Sequence, residues 1–185
     1  MTADYMVAKK AVESGDFKRA FKELRLSAQE GYPEAQNELG NSYFYGIGTA
    51  QDFKEALKWF EKVPRQSDPE ALQNMGHIYA NGLGGVRKNL KKAFSLYLKA
   101  AEQGHAGGQY FVGHFYVKGL GIEQDNVKAL MWFDLVSSRS PIPINEFQSA
   151  GADALLFVNR LKSKMAPDEI LMAQKLSKEW KPSGQ

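Results

Sequence analysis

Apolar residues recur along the chain with a fixed long period. Four alanines, Ala20, Ala56, Ala93 and Ala129, are separated by 36, 37 and 36 residues. Each is followed by an apolar residue at the next position and by another four positions on, which is the spacing of one helical face. Because a larger side chain would push two helix axes apart, the alanine indicates a close helix crossing. A period of this length is typical of a stacked repeat array.

A second stripe occupies the other half of each period. It places a small residue, an apolar residue, a glycine and a tyrosine at fixed offsets: Ala35, Leu39, Gly40 and Tyr43; Ala71, Met75, Gly76 and Tyr79; Gly108, Val112, Gly113 and Tyr116. Such a face suits close packing against a neighbouring helix. Pro33 and Pro69 stand where a first helical turn tolerates a missing N–H. The pattern therefore predicts alternating helices of roughly 12 to 15 residues joined by short turns.

Side chains that cap helices precede the alanines. Asp16, Asp52, Asn89 and Asp125 each stand four residues before one of them and are expected to be N-caps. Asp52 and Glu55 together predict a reciprocal capping box, in which each side chain accepts a hydrogen bond from the other residue's backbone.

Two stretches resemble Sel1-like repeats, a subclass of the tetratricopeptide superfamily: PEAQNELGNSYFYGIGTAQDFKEALKWFEKV (33–63) and HAGGQYFVGHFYVKGLGIEQDNVKALMWFDLV (105–136). The resemblance implies an all-α fold, a right-handed α-solenoid superhelix of stacked antiparallel helix pairs with about ten helices. It also implies one domain over 1–185, with a leading tetratricopeptide-like pair (1–32), Sel1-like repeats (33–140) and closing helices (141–185). Gly107 and Gly108 replace the alanine-type residues usual in the family. Each glycine is expected to loosen this helical turn by lowering its stability by about 1 kcal/mol.

The same resemblance implies which residues meet a partner. In the superfamily the first helix of each pair lines the inner, concave face. The inner face is then expected to carry Asn37, Asn41, Phe44 and Tyr45; Gln73, His77, Ala80 and Asn81; Tyr110, His114, Val117 and Lys118; and, from a leading helix, Tyr5, Lys9 and Val12. Amide, imidazole and aromatic groups suit hydrogen bonding and aromatic contact with a protein or peptide, so these residues are the predicted contacts.

Two further apolar stripes lie in the C-terminal part. They comprise Phe147, Ala150, Ala154, Leu155, Val158 and Leu161, and then Leu171, Ala173, Leu176 and Trp180. An uncapped stack would leave an apolar patch, so these stripes are expected to cover the last repeat of a monomer. The alternative is a dimer interface formed by the same helices.

Composition sets limits on function. The chain has 185 residues, 43% of them hydrophobic and 24% charged, and its net charge of +3 does not indicate nucleic-acid binding. The absence of cysteine excludes disulfides, thiolate metal sites and cysteine nucleophiles. No stretch is long and apolar enough for a membrane span, and residues 1–10 lack a signal-peptide core. We expect a cytoplasmic protein, or a periplasmic or secreted one if a signal peptide was removed before Ala3.

No catalytic, metal or cofactor site is predicted. His77 and His114 occupy equivalent positions one repeat apart, on the order of 10 Å from each other, without a third ligand. His105 begins a helix and is interpreted as structural. The stretch NGLGGVRK (81–88) lacks the spacing of a phosphate loop and is interpreted as a turn. A basic group is interpreted as a solvated face, with an anionic partner as the alternative: Arg87, Lys88, Lys91 and Lys92.

The expected function is therefore a non-catalytic adaptor that presents a concave surface to a protein or peptide. One alternative is an exported immunity or inhibitor protein that neutralises a secreted bacterial effector. Another is a β-lactamase-like hydrolase, although the relatives that suggest it have cysteine-rich repeats. Nucleic-acid binding, which would depend strongly on salt, is a third.

Overall fold

The computed structural model describes residues 3–63, 68–138 and 148–183. Within those ranges the chain forms ten α-helices, a 3-10 turn at Leu83–Gly85 and no strand, which confirms the predicted all-α solenoid class. The helices are α1 (Ala3–Glu13), α2 (Phe17–Gln29), α3 (Pro33–Tyr45), α4 (Phe53–Lys62), α5 (Pro69–Asn81), α6 (Leu90–Glu102), α7 (Ala106–Lys118), α8 (Asn126–Ser137), α9 (Gln148–Lys162) and α10 (Pro167–Glu179). We call the odd-numbered helices first helices and the even-numbered ones second helices.

Two compact units divide the chain after Asn89. The first unit, residues 1–89, contains α1 to α5, and the second, residues 90–185, contains α6 to α10. Within each unit consecutive helices pack against each other, except that α10 packs mainly against α8. The predicted division by repeat type, at 32/33 and 140/141, stays a prediction, and its second boundary lies outside the described residues.

Aspartates begin the second helices. Asp16 Oδ1 accepts a hydrogen bond from the backbone N–H of Arg19 at 3.1 Å, and Asp125 Oδ1 accepts one from Lys128 at 2.9 Å. Asp52 Oδ1 accepts from two N–H groups of the first turn of α4. Each bond satisfies a donor that the helix itself leaves open, so the predicted N-caps at these three aspartates are confirmed.

The reciprocal half of the predicted capping box does not form. Glu55 pairs with Lys58 instead, and the backbone N–H of Asp52 donates to the carbonyl of Tyr43 at 2.9 Å. The same backbone bond recurs one and two repeats later, from Asn89 to Tyr79 and from Asp125 to Tyr116. In these three repeats, a tyrosine carbonyl of the first helix therefore holds the residue that precedes the second helix.

Small residues allow the helices to approach closely. The four alanines of the long period retain at most 3% of their surface. A Cβ built at Gly40 would lie 2.5 Å from the ring of Phe60, and one built at Gly113 would lie 3.0 Å from the ring of Phe133. In both repeats a first-helix glycine thus makes room for an aromatic ring of the following second helix.

Loop glycines make a second close approach. Gly48 has φ +72°, and a Cβ there would lie 2.1 Å from the carbonyl oxygen of Phe17, the first residue of α2. Gly121 has φ +69°, and its Cβ would lie 2.9 Å from the Cβ of Leu90, the first residue of α6. Positive φ and short contact together require glycine, so the loop of one repeat rests on the start of the preceding second helix.

The interpretation of Gly108 as a loosening residue is wrong. A Cβ at this position would lie 2.7 Å from the backbone nitrogen of Ala101 and 2.8 Å from the Cβ of Ala100. Gly108 is buried, as is Gly107 beside it. The missing side chain therefore lets α7 lie directly against the end of α6.

The closing helices cover the last repeat, as expected. The core around Ala129, Leu130, Phe133 and Val136 of α8 includes Ala154, Val158 and Leu161 of α9, Met165 of the turn that follows, and Ala173 of α10. Two other residues of the predicted stripes were assigned wrongly, because Leu155 is 52% exposed and Leu171 is 65% exposed. Each lies one residue after a buried or half-buried position, and one residue corresponds to a rotation of about 100° around the helix axis. Phe147 and the side chain of Ala150 lie outside the described residues.

Replacing Gly108 by alanine is expected to lower the free energy of unfolding by about 1–3 kcal/mol, because the new Cβ would push α6 and α7 apart. Helix propensity alone predicts the opposite sign, a gain of about 1 kcal/mol. Urea unfolding followed by circular dichroism measures the difference. Ser95→Ala, at an exposed position of α6, is the control and should change stability by less than about 0.5 kcal/mol. A Gly108→Ala chain at least as stable as the parent would contradict the close approach.

Candidate functional site

Polar side chains on α3 and α5 form two hydrogen-bonded groups in the first unit. Asn74 Nδ2 donates to Asn41 Oδ1 at 3.1 Å and to Tyr45 Oη at 3.5 Å. Asn74 is only 2% exposed, whereas Tyr45 is 40% exposed. A buried amide of α5 therefore holds two groups of α3 that face outward. We call Asn41, Tyr45, Asn74, His77 and Asn81 the polar cluster.

The second group of the polar cluster, His77 and Asn81, lies on α5 alone. Asn81 Nδ2 donates to the backbone carbonyl of His77 at 3.0 Å and lies 3.4 Å from His77 Nδ1. The His77 ring meets Phe44 edge to face, with centroids 6.2 Å apart. Burial lowers the pKa of His77, so its imidazole is neutral at pH 7 and offers one donor and one acceptor.

Two amide oxygens beside the polar cluster receive no hydrogen bond from the described protein. Asn37 Oδ1 and Gln73 Oε1 are both buried and stand 36 residues apart, at equivalent positions of successive repeats. Gln36 and Gln109 also have an unbonded buried oxygen, but their Nε2 groups donate to the carbonyls that end α2 and α6, so they have a structural role. Asn37 and Gln73 have no such bond among the described residues.

Three of the predicted contacts are largely covered by other parts of the chain. Tyr5, Phe44 and Gln73 are 5%, 9% and 5% exposed. Tyr5 Oη donates to Glu38 Oε1 at 2.5 Å, and burial together with this carboxylate raises the pKa of the phenol. Their packing role leaves little surface for a partner. Lys9 and Val12 of α1 are exposed, and Ala80 is half-buried.

The remaining predicted contacts lie in the second unit, next to a pocket of about 420 Å³. The pocket is enclosed by α7, α9 and the loop before α8, and its lining residues are His114, Val117, Lys118, Gln124, Asn126, Phe157, Arg160, Leu161 and Lys164. Tyr110 lies beside it, with its ring centroid 6.3 Å from that of Phe157. The structure thus brings His114, Val117 and Lys118 together with residues of a closing helix.

His114 is held by aromatic rings. Its ring meets Phe157 edge to face at 5.7 Å and is stacked with Tyr110 at 6.4 Å between centroids. Nδ1 of His114 is buried and forms no hydrogen bond within the described residues. Burial, and then the charge of Lys118, lower the pKa of His114. The imidazole is therefore neutral at pH 7.

Sequence reasoning did not predict six residues of these sites: Asn74, Gln124, Asn126, Phe157, Arg160 and Lys164. Asn74 stands beside a predicted contact, and its only signal was an amide on an otherwise buried helical face. Phe157, Arg160 and Lys164 belong to a closing helix that was interpreted as packing alone. They stand at helical spacing on α9, so a second face on that helix was detectable, but its position beside α7 was not.

Other candidate features have a structural role or none. His105 Nδ1 accepts from the backbone N–H of Gly108 at 3.3 Å and so caps α7, as its structural interpretation predicted. Leu83–Gly85 forms the 3-10 turn, and Gly82, Gly84 and Gly85 have positive φ. In the described ranges, no three His, Asp or Glu side chains are grouped to hold a metal ion. None of the helices there is long and apolar enough to cross a membrane.

These features define a helical-repeat scaffold with polar first helices. Residues 33–62, 69–105 and 106–135 match the Sel1 repeat family. Together they make up more than half of the chain, so the chain belongs to the Sel1 repeat family. Sel1 repeats generally mediate protein–protein interaction and typically form a non-catalytic scaffold. No curated protein matches the chain.

Two solved structures are similar over nearly the whole chain. One is c5321, a protective antigen present in uropathogenic Escherichia coli strains that displays an SLR fold; it aligns over 96% of this chain with 28% identity and a TM-score of 0.78. The chain spans 37% of the length of that antigen. The other is a Sel1 repeat protein from Oxalobacter formigenes, with 25% identity and a TM-score of 0.66 over 96% of this chain and 84% of its own.

The free energy of unfolding is expected to decrease as the pH falls from about 7.5 to about 5.5. His77 and His114 have lowered pKa values in the folded chain, whereas in the unfolded chain they titrate near 6.5. The unfolded state therefore takes up more protons in this range. Urea unfolding at several pH values measures the slope, and a His77→Gln, His114→Gln chain should show a smaller one. An equal slope in both chains would show that these histidines do not contribute.

Proposed function

We propose that the chain binds a peptide or protein partner through the polar faces of its first helices and carries out no chemistry itself. The proposed contacts are Lys9, Asn37, Asn41, Tyr45, His77 and Asn81 in the first unit, and Tyr110, His114, Val117 and Lys118 in the second. Tyr5, Phe44 and Gln73 are left out because they are covered by other side chains.

The polar cluster is the observation that carries this proposal. Asn74 fixes the amide of Asn41 and the hydroxyl of Tyr45 from beneath, while Asn81 remains exposed. Holding these groups in place before a partner arrives reduces the entropy lost on binding. Packing of the repeats does not require an exposed tyrosine and an exposed amide on the same face.

The chemistry of the surface supports an extended peptide. Amides and a neutral imidazole supply both donors and acceptors, as a peptide backbone requires. No specific contact favours an immunity protein, a hydrolase or a nucleic-acid binder, so these alternatives are not proposed. The expectation of a monomer stays a prediction.

Affinity capture from a lysate of the source cells tests the proposal. The immobilised chain is compared with a Tyr45→Ala, His77→Ala, Asn81→Ala chain, and we expect the variant to retain about tenfold less of the captured partner, because these substitutions remove the exposed part of the polar cluster. Mass spectrometry with isotope labels quantifies the ratio.

A matched variant controls for the loss of three surface side chains. Gln29→Ala, Ser95→Ala and Lys99→Ala lie at exposed positions of α2 and α6, which are second helices, and should leave capture unchanged. Circular dichroism confirms that both variants fold. Equal capture by the polar-cluster variant and the parent would refute the proposed surface.

A further inference from the structure

The pocket of the second unit combines an apolar floor with a basic rim. The floor is formed by Val117, Phe157 and Leu161, which are buried or half-buried, and the rim by Lys118, Arg160 and Lys164, which are exposed. None of the nine lining residues is acidic. Its volume of about 420 Å³ lies in the range of about 300–1,000 Å³ found for ligand pockets.

Helical spacing explains how the floor and the rim come together. His114, Val117 and Lys118 stand at i, i+3 and i+4 on α7, so they share one face. Phe157, Arg160, Leu161 and Lys164 do the same on α9 over two turns. Because α7 and α9 lie beside each other, each helix contributes both apolar and basic groups to the same pocket.

The rim cations have no ion-pair partner in the described part of the chain. Lys162, on another face of α9, pairs with Asp134 at 3.6 Å, whereas Arg160 and Lys164 form no ion pair among the described residues. Asp125, near the pocket in sequence, is already bonded to Lys128. Asp153 stands one turn before Phe157 on α9. Burial, and then the charge of Asp153, raise the pKa of Tyr110 at the edge of the pocket. Within the described residues, the three cations of the rim are therefore not paired with a carboxylate.

We propose that this pocket binds an acidic segment of the partner, with one large apolar side chain on the floor and flanking carboxylates at the rim. The proposal rests on the proposed function, because the pocket shares His114, Val117 and Lys118 with the contact surface. The planar guanidinium of Arg160 suits a carboxylate through two parallel hydrogen bonds. The amides of Gln124 and Asn126 offer bonds to the backbone of the segment.

Charge and shape favour a peptide over a nucleic acid. A nucleic acid requires a basic stripe that follows its backbone, whereas here three cations surround one apolar floor. The net charge of the chain is only +3. A desolvated apolar side chain supplies the main attraction to such a floor, and the carboxylates select which segment enters.

Fluorescence anisotropy with defined peptides tests the pocket on the parent chain. The probes are fluorescein-labelled GSEEFEEGS, its neutral counterpart GSQQFQQGS, its truncated counterpart GSEEAEEGS and a labelled twelve-nucleotide oligothymidine. We expect the first peptide to bind at least about tenfold more tightly than the other three probes, because only it offers both the carboxylates and the ring. Equal binding of the neutral peptide, or tighter binding of the oligonucleotide, would overturn the proposal.

A charge-matched pair of variants locates the binding. Arg160→Glu with Lys164→Glu should weaken binding of GSEEFEEGS by about tenfold or more. Lys18→Glu with Lys22→Glu changes the net charge equally at exposed positions of α2, and binding should stay within about twofold of the parent. Equal loss in both variants would mean that the attraction is not local to the pocket and would overturn the proposal.

The two proposals fail in different ways. If GSEEFEEGS does not bind while the Tyr45, His77 and Asn81 substitutions still reduce capture of the partner, the acidic segment is wrong and the binding surface stands. If the peptide binds but those substitutions leave capture unchanged, the pocket stands and the polar cluster is not the contact surface.

Discussion

Close approach of helices at positions without a large side chain is the constraint on which the repeats depend. Gly108 lets α7 lie against the end of α6, and Gly113 accommodates the ring of Phe133. Gly121, at positive φ, places the following loop on the first residue of α6. A side chain at any of these positions would separate elements whose apolar faces are in contact, and would expose part of a core that dispersion and burial stabilise.

This packing also determines which side chains are left for a partner. Apolar residues of the second helices pack between helices, and α4 and α8 are each fixed at their start by an aspartate cap and a tyrosine carbonyl. The outward face of the first helices carries no such role, so it is free to hold amide, imidazole and hydroxyl groups. In the first unit a buried amide, Asn74, then orders Asn41 and Tyr45 above it.

The two units offer different chemistry on the same framework. The first unit presents neutral hydrogen-bonding groups, and the second presents aromatic and basic groups around a pocket. Part of that pocket comes from α9, which lies beyond the residues that match the Sel1 repeat. The helix that covers the end of the last repeat therefore also contributes Phe157, Arg160 and Lys164 to a candidate binding site.

Local sequence determined the helices, their period and most of their starts. The alanine spacing and the caps at Asp16 and Asp125 depend on neighbours within one or two turns, and both were correct. Only the tertiary structure decided that Leu155 and Leu171 are exposed, because an apolar stripe in the sequence does not show which of its residues a neighbouring helix covers. It likewise showed that Gly108 permits a close helix contact, and it placed His114 and Arg160 in the lining of one pocket. Those effects depend on the distance between helices that are far apart in sequence, and no local pattern encodes that distance.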